Sequence, residues 1–182
     1  GRRMAEYLWI FWSFSLLGWV LERLFAAVTR SPRRRRRCLL LLPLCPVYGL
    51  GMAAVLALPP NLGSGWPLYI WGCLTATAVE YIYHWWGETF LGVSFWDYTG
   101  VFGNFRGRVC LPFFLAWGLL LFPAVYLVTT PVVALADRVP IGVTWWLLLA
   151  FTADAVCSLR FLAVTHDLEA LRAVIWPVSA DR

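Results

Sequence analysis

Five long apolar runs, separated by short polar segments, constrain this chain more than anything else in it. They cover about residues 5–28, 39–58, 66–87, 110–134 and 141–163. Each holds at least the ~20 residues that a helix rising ~1.5 Å per residue needs to cross ~30 Å of hydrocarbon. Inside lipid a backbone must satisfy its own hydrogen bonds, so such runs become helices. The expected fold is all-α: a polytopic membrane helix bundle of about five transmembrane helices, forming a single transmembrane domain over 1–182. Composition agrees, with 61% hydrophobic and 14% charged residues, where soluble domains sit near one half and one quarter. Twelve tryptophans add a residue that collects at membrane interfaces. The first run is expected to be a span and not a cleaved signal, because it is too long and Glu22-Arg23 interrupts the place of a cleavage site.

Charge sets the expected orientation and excludes some chemistry. All 15 basic residues are Arg, six of them between Arg30 and Arg37. Without Lys, these residues hold neither a Schiff-base lysine nor the lysine of a phosphate-binding P-loop. The net charge of +5 suits a membrane surface and not nucleic acid, and Arg33–Arg37 are expected to bind anionic lipid headgroups and anchor topology. A docking surface for a soluble partner is the alternative for that run. Counting Arg in the loops places Arg33–Arg37, Arg106, Arg108 and Arg172 in the cytoplasm, with the N-terminus outside and the chain in the plasma membrane. Only Arg2 and Arg3 argue against this orientation. Five scattered cysteines (Cys38, Cys45, Cys73, Cys110, Cys157) form no CxxC and are expected to be reduced and structural. No cofactor is expected.

Three runs are irregular. The second begins Leu42-Pro43-Leu44-Cys45-Pro46-Val47-Tyr48-Gly49-Leu50-Gly51, and its prolines and glycines predict a kinked or unwound half-span. In the third, Cys73, Thr77, Glu80, His84 and Glu88 are spaced to fall within an arc of roughly 80°, one polar stripe along a helix. A carboxylate near mid-bilayer is costly unless paired or hydrated, so Glu80 should face the bundle interior. His84 reads as the partner of Glu80 or Glu88 in preference to a metal ligand. Ser15, Gly18 and Glu22 share a face of the first run, and Asp154 and Ser158 a face of the fifth. Glu22, Glu80 and Asp154 are therefore expected to converge, with Arg106 and Arg108 as counter-charges; a structural ion pair is the alternative at each. Acids so placed could exchange protons. Segment 88–109, with Phe95-Trp96-Asp97-Tyr98, is expected to be interfacial or re-entrant, held at headgroup depth by its rings.

These residues carry a resemblance. Ser15-Leu16-Leu17-Gly18-Trp19-Val20-Leu21-Glu22 resembles the S-x-L-G-W-x-x-E opening of the ABC-transporter type IV (CmpB-like) integral membrane family. Arg37, Pro43, Pro46, Tyr48, Gly49 and Gly51 match its R-G-x-x-x-G-P-x-x-P-x-Y-G-x-G stretch. Glu80 and Glu88 fall where it places two acids; Trp96-Asp97-Tyr98, Asn104 and Gly107-Arg108 match its W-D-Y-[ST]…N-x-x-G-R block, and Trp117-Gly118 follow. The blocks run in order over about 7–125, with Cys38, Leu42, Arg36 and Gly103 departing from the pattern. The resemblance implies a permease-like protein of about five helices in a bacterial inner membrane, and an ABC mechanism would require a separate ATPase subunit.

The leading expectation is a permease for a small polar or cationic solute or protons, its path lined by Glu22, Tyr48, Glu80, His84, Glu88, Trp96, Asp97, Tyr98, Asn104, Arg108 and Asp154. The alternatives are an intramembrane enzyme acting on a lipid or isoprenoid, in which Glu80, His84, Glu88 and Asp97 hold a divalent ion, and a non-catalytic scaffold or sensor subunit. The absence of HExxH or GxSxG strings leans against an enzyme. A homodimer would widen the cavity that five helices can enclose.

Overall fold

The computed structural model describes residues 1–29 and 38–174; the Arg33–Arg37 run and its expected lipid contacts lie outside them. Helix α1 spans Arg2–Thr29, α2 Pro46–Leu56 and α3 Gly65–Trp86, the last extended by a π-helical turn at Gly87–Leu91. Next come α4, Leu111–Pro123, a second π-helical turn at Ala124–Val128, and α5, Thr129–Arg138. Helix α6 covers Ile141–Thr165 and the short α7 Leu168–Ala173. Among the described residues the only β pairing is an isolated bridge between Phe105 and Val109. The protein is a helical membrane bundle.

Among the described residues, three helices are long and apolar enough to cross a membrane: Arg2–Thr29, the continuous rod Leu111–Arg138, and Ile141–Thr165. Helix α3, at 22 residues, reaches about 33 Å at ~1.5 Å per residue, but its polar stripe lowers its hydropathy. Helix α2 has only 11 residues, roughly 16 Å of rise, so the second run is helical over about half of the 39–58 expected. Pro43 and Pro46 are the cause. Each lacks an N–H and disfavours helical geometry in the residue before it, and Pro46 opens the helix that follows.

Unwound backbone at membrane depth survives only where protein satisfies it, and here it does. Leu41 and Leu42 donate their N–H groups to the two carboxylate oxygens of Asp154, at 3.0 and 2.9 Å. Cys45 N–H donates to Ser15 O of α1 at 2.9 Å. Asp154 also accepts from Ser158 Oγ at 2.8 Å, one turn along α6.

Small residues set the crossings. A Cβ on Gly18 of α1 would meet the Tyr48 ring of α2, and one on Gly49 would meet Ser15 Oγ and Phe11 of α1. Gly118 of α4 lies similarly against Cys73 and Tyr69 of α3. Close backbone approach of this kind is how membrane helices associate without help from water. Helix α1 also packs on α5 and α6, and α3 on α2 and α4. Trp9 Nε1 donates to Thr144 Oγ1 at 3.0 Å, tying α1 to α6.

Segment 92–110 folds into a compact loop at one end of the bundle. Gly92 turns the chain at φ 63°, a left-handed conformation that costs glycine little. Tyr98 N–H donates to Gly107 O at 2.8 Å and Trp96 Nε1 to Arg108 O at 2.8 Å. The aromatic anchors expected to face the headgroups turn inward. Phe95, Trp96 and Tyr98 are all buried, packed with Tyr83, His84 and Phe113, because the loop closes over the end of α3. The rings it exposes are Phe102 and Phe105.

Candidate functional site

Four helices line one cavity of about 240 Å³, and three of them bring a polar side chain to it: Tyr48, Glu80 and Trp117. Phe14, Leu17, Gly18 and Leu21 line it from α1, Val47, Tyr48, Gly51 and Met52 from α2, and Ala76 and Glu80 from α3. Trp117, Leu120, Leu121 and Pro123 close it from α4. Among the described residues Glu80 is the one carboxylate in its wall, and it is only 2% exposed. Its Oε2 accepts from Trp117 Nε1 at 3.2 Å. The Trp117 ring stands edge-on to the Tyr48 ring, centroids 5.3 Å apart, and Tyr48 Oη donates to Glu22 Oε1 of α1. Glu22 and Glu80 are thus linked through two aromatic residues, Glu22–Tyr48–Trp117–Glu80, across four helices. The Gly18 crossing makes this chain: with no Cβ at Gly18, the Tyr48 ring lies flat against α1.

A second polar group continues along α3 toward the loop. His84 is 2% exposed, one turn beyond Glu80. Its Nε2 lies 2.6 Å from Trp96 O; a carbonyl only accepts, so Nε2 carries the hydrogen. Its Nδ1 lies 3.0 Å from Glu88 Oε1. Arg108 holds the other oxygen of Glu88 through Nε at 3.2 Å and Nη2 at 2.8 Å, and donates from Nη1 to Tyr81 Oη at 2.8 Å. The Glu88 carboxylate, first, and then Tyr81 raise the Arg108 pKa further above its ordinary value.

Asp97, Asn104 and Asp154 do not join either group. Asp97 Oδ1 accepts from Thr99 Oγ1 at 2.6 Å and Thr99 N at 2.9 Å, a local turn on an exposed surface. Those bonds, the hydroxyl foremost, lower the Asp97 pKa. The depressed value means that Asp97 stabilises the loop above its unfolded pKa, and that this contribution is lost as pH falls through the folded value, below about pH 4. Replacing Thr99 by Val should therefore raise the Asp97 midpoint toward an ordinary carboxylate value in an NMR titration; an unmoved midpoint would show that the turn does not set it.

Asn104 donates from Nδ2 to Val101 O and accepts from Gly107 N, which shapes the loop. Trp96 and Tyr98 pack under it. Asp154, expected to converge with Glu22 and Glu80, instead holds the backbone of Leu41 and Leu42. Of the expected counter-charges, Arg108 pairs with Glu88, whereas Arg106 is exposed and lies over the Phe105 ring at 5.5 Å. Arg23 lies over the Trp19 ring at 4.8 Å. Two contributors were missed as site residues. Tyr81 lies seven residues before Glu88, hence on the same helical face, a spacing that could have flagged it. Trp117 had no spacing signal, since its partners are on other helices, and only the family resemblance marked it. Among the described residues, no group of three or more His, Cys, Asp and Glu side chains could hold a metal ion.

The family model described as "Putative ABC-transporter type IV" matches residues 9–159. The chain belongs to this family, which makes it a membrane protein related to ABC transporters. Neither a curated protein nor a solved structure matches the chain.

Proposed function

We propose that this family member is a permease-like protein that passes a small polar or cationic solute, or protons, through the cavity beside Glu80. One observation carries the reading: a single buried carboxylate sits in the wall of a cavity otherwise lined mainly by apolar side chains. A carboxylate at membrane depth is costly to place, and in an apolar wall it offers a cationic or polar solute a specific contact. The polar groups of α3 support proton coupling. Glu80, His84 and Glu88 follow one another at single turns, and the Glu88 side chain is 34% exposed, so they lead from the cavity toward the surface. His84 Nδ1 is the ring nitrogen that faces Glu88.

In this reading the chain lies in the plasma membrane with its N-terminus outside, which places Arg106, Arg108 and Arg172 on the cytoplasmic side. These residues contain no Lys, so an ATP-driven version would draw its Walker A lysine from a separate ATPase subunit.

Transport is measured in proteoliposomes under an imposed pH gradient, with methylammonium and tetramethylammonium as probe cations. Glu80→Gln is expected to lower flux by at least about tenfold, a loss of roughly 1.4 kcal/mol of transition-state stabilisation, while the thermal midpoint in detergent stays close to the parent's. Unchanged flux with unchanged pH dependence would remove Glu80 from the path and the proposal with it.

A further inference from the structure

The walls of the Glu80 cavity are unequal, and the difference shows from where a ligand can reach it. Helices α1 and α4 bound one side of it. Near the loop end, Phe25 of α1 meets Phe113 of α4 with ring centroids 5.9 Å apart. Toward the other end, α1 packs against α5. Between these two closures, Leu17 and Leu21 of α1 and Leu120 of α4 line the cavity and are also 46, 38 and 43% exposed. A residue that both lines a cavity and faces outward marks its mouth. On a membrane helix, outward at mid-length means into the acyl chains.

The opposite wall is the polar one. Glu80 projects from α3, and the rings of Tyr48 and Trp117 stand edge to face beside it. A carboxylate in an apolar wall favours a cation, and the preference is strongest where water is excluded. The apolar remainder of the cavity and its apolar mouth suit a hydrocarbon chain, not a hydrated ion.

We infer that the cavity is a membrane-side binding site for an amphiphile with a cationic amino head and a single apolar chain, admitted laterally between α1 and α4. The inference rests on the cavity being the ligand site proposed above and adds the class of ligand and its route. The head passes the Leu17–Leu120 mouth and stops at Glu80, and the chain stays in the apolar part, which is continuous with the bilayer. Partition of the chain into lipid concentrates such a ligand at the mouth before it binds.

The test uses the full chain in lipid nanodiscs with dodecylamine carrying a mid-chain diazirine, and dodecanoic acid carrying the same group. After irradiation, labelled positions are mapped by mass spectrometry. The expected result is amine labelling concentrated on 17–21 and 117–124, competed by unlabelled dodecylamine at far lower concentration than by tetramethylammonium, which has the charge but no chain. Leu120→Trp, which fills the mouth from an exposed position, should lower it at least about tenfold, and Leu17→Trp should do the same from the other wall. Glu80→Gln should erase the preference for amine over acid. Equal labelling by amine and acid in the parent protein overturns the inference, as does equal labelling of Trp146 and Leu149 on the exposed face of α6. Mouth variants that keep their thermal midpoint and full labelling overturn it as well. Its failure and that of the permease reading separate cleanly. Labelling as expected without any flux leaves the site standing and removes transport, whereas tetramethylammonium flux indifferent to Leu120→Trp keeps transport and removes lateral access.

Discussion

Replacing Asp154 with alanine is expected to destabilise the bundle by about 3–5 kcal/mol, because two backbone N–H groups lose their acceptor where no water replaces it. Leu41 and Leu42 belong to the stretch that Pro43 and Pro46 keep from becoming helical, and the Asp154 carboxylate is what their N–H groups bond to. Asn at this position keeps one acceptor oxygen and should lose about half as much. Ser158→Ala removes a single neutral donor to Asp154 and should cost about 1 kcal/mol. Unfolding in mixed micelles, with SDS as denaturant, ranks the three variants. An Asp154→Ala midpoint equal to the parent's would mean that the carboxylate does not hold the segment.

Gly49→Ala should rank next, at about 2–3 kcal/mol, and it should also damage the site. The new Cβ would meet the backbone oxygen of Phe11 at 2.5 Å and the Phe11 ring at 2.7 Å. A carbonyl inside a helix cannot rotate away, so α2 must retreat from α1 as a body. Tyr48 is carried with it, and its hydrogen bond to Glu22 is strained or lost. Gly51 gives the contrast: a Cβ there meets nothing within 4 Å, so Gly51→Ala should be neutral or gain up to about 1 kcal/mol from reduced backbone entropy. Equal thermal midpoints for the two alanine variants would refute the idea that the α1–α2 crossing depends on the bare backbone at Gly49.

Much of this fold is legible before any coordinates exist. The apolar runs locate the long helices to within a few residues, since hydrophobic length and the prolines that interrupt it act locally along the chain. The break in the second run is legible for the same reason. So is the polar stripe of α3, whose members lie on one helix, where spacing alone sets the angle between them. His84 finds Glu88 by that rule.

The site is less legible because its bonds join distant parts of the chain. Asp154 has the same chemistry as Glu80, and both sit inside apolar runs, yet one holds a backbone 112 and 113 residues away while the other faces a cavity. Which acid does which follows from where α6 lies relative to the unwound segment. Trp117 reaches Glu80 only because α4 packs along α3, with Gly118 allowing the approach. The loop aromatics, expected among headgroups, turn inward once a π-helical turn and Gly92 fold the chain back over α3.

The sequence by itself thus determined that this is a helical membrane protein, where its helices run, where its second run breaks, and that α3 has one polar face. Those properties depend on transfer free energy and backbone sterics, which each short segment carries alone. Only the tertiary structure decided which acid meets which partner, and that Glu80 faces a cavity lined by α1, α2 and α4. These depend on helix crossings, and a crossing is set jointly by two surfaces that no single segment contains.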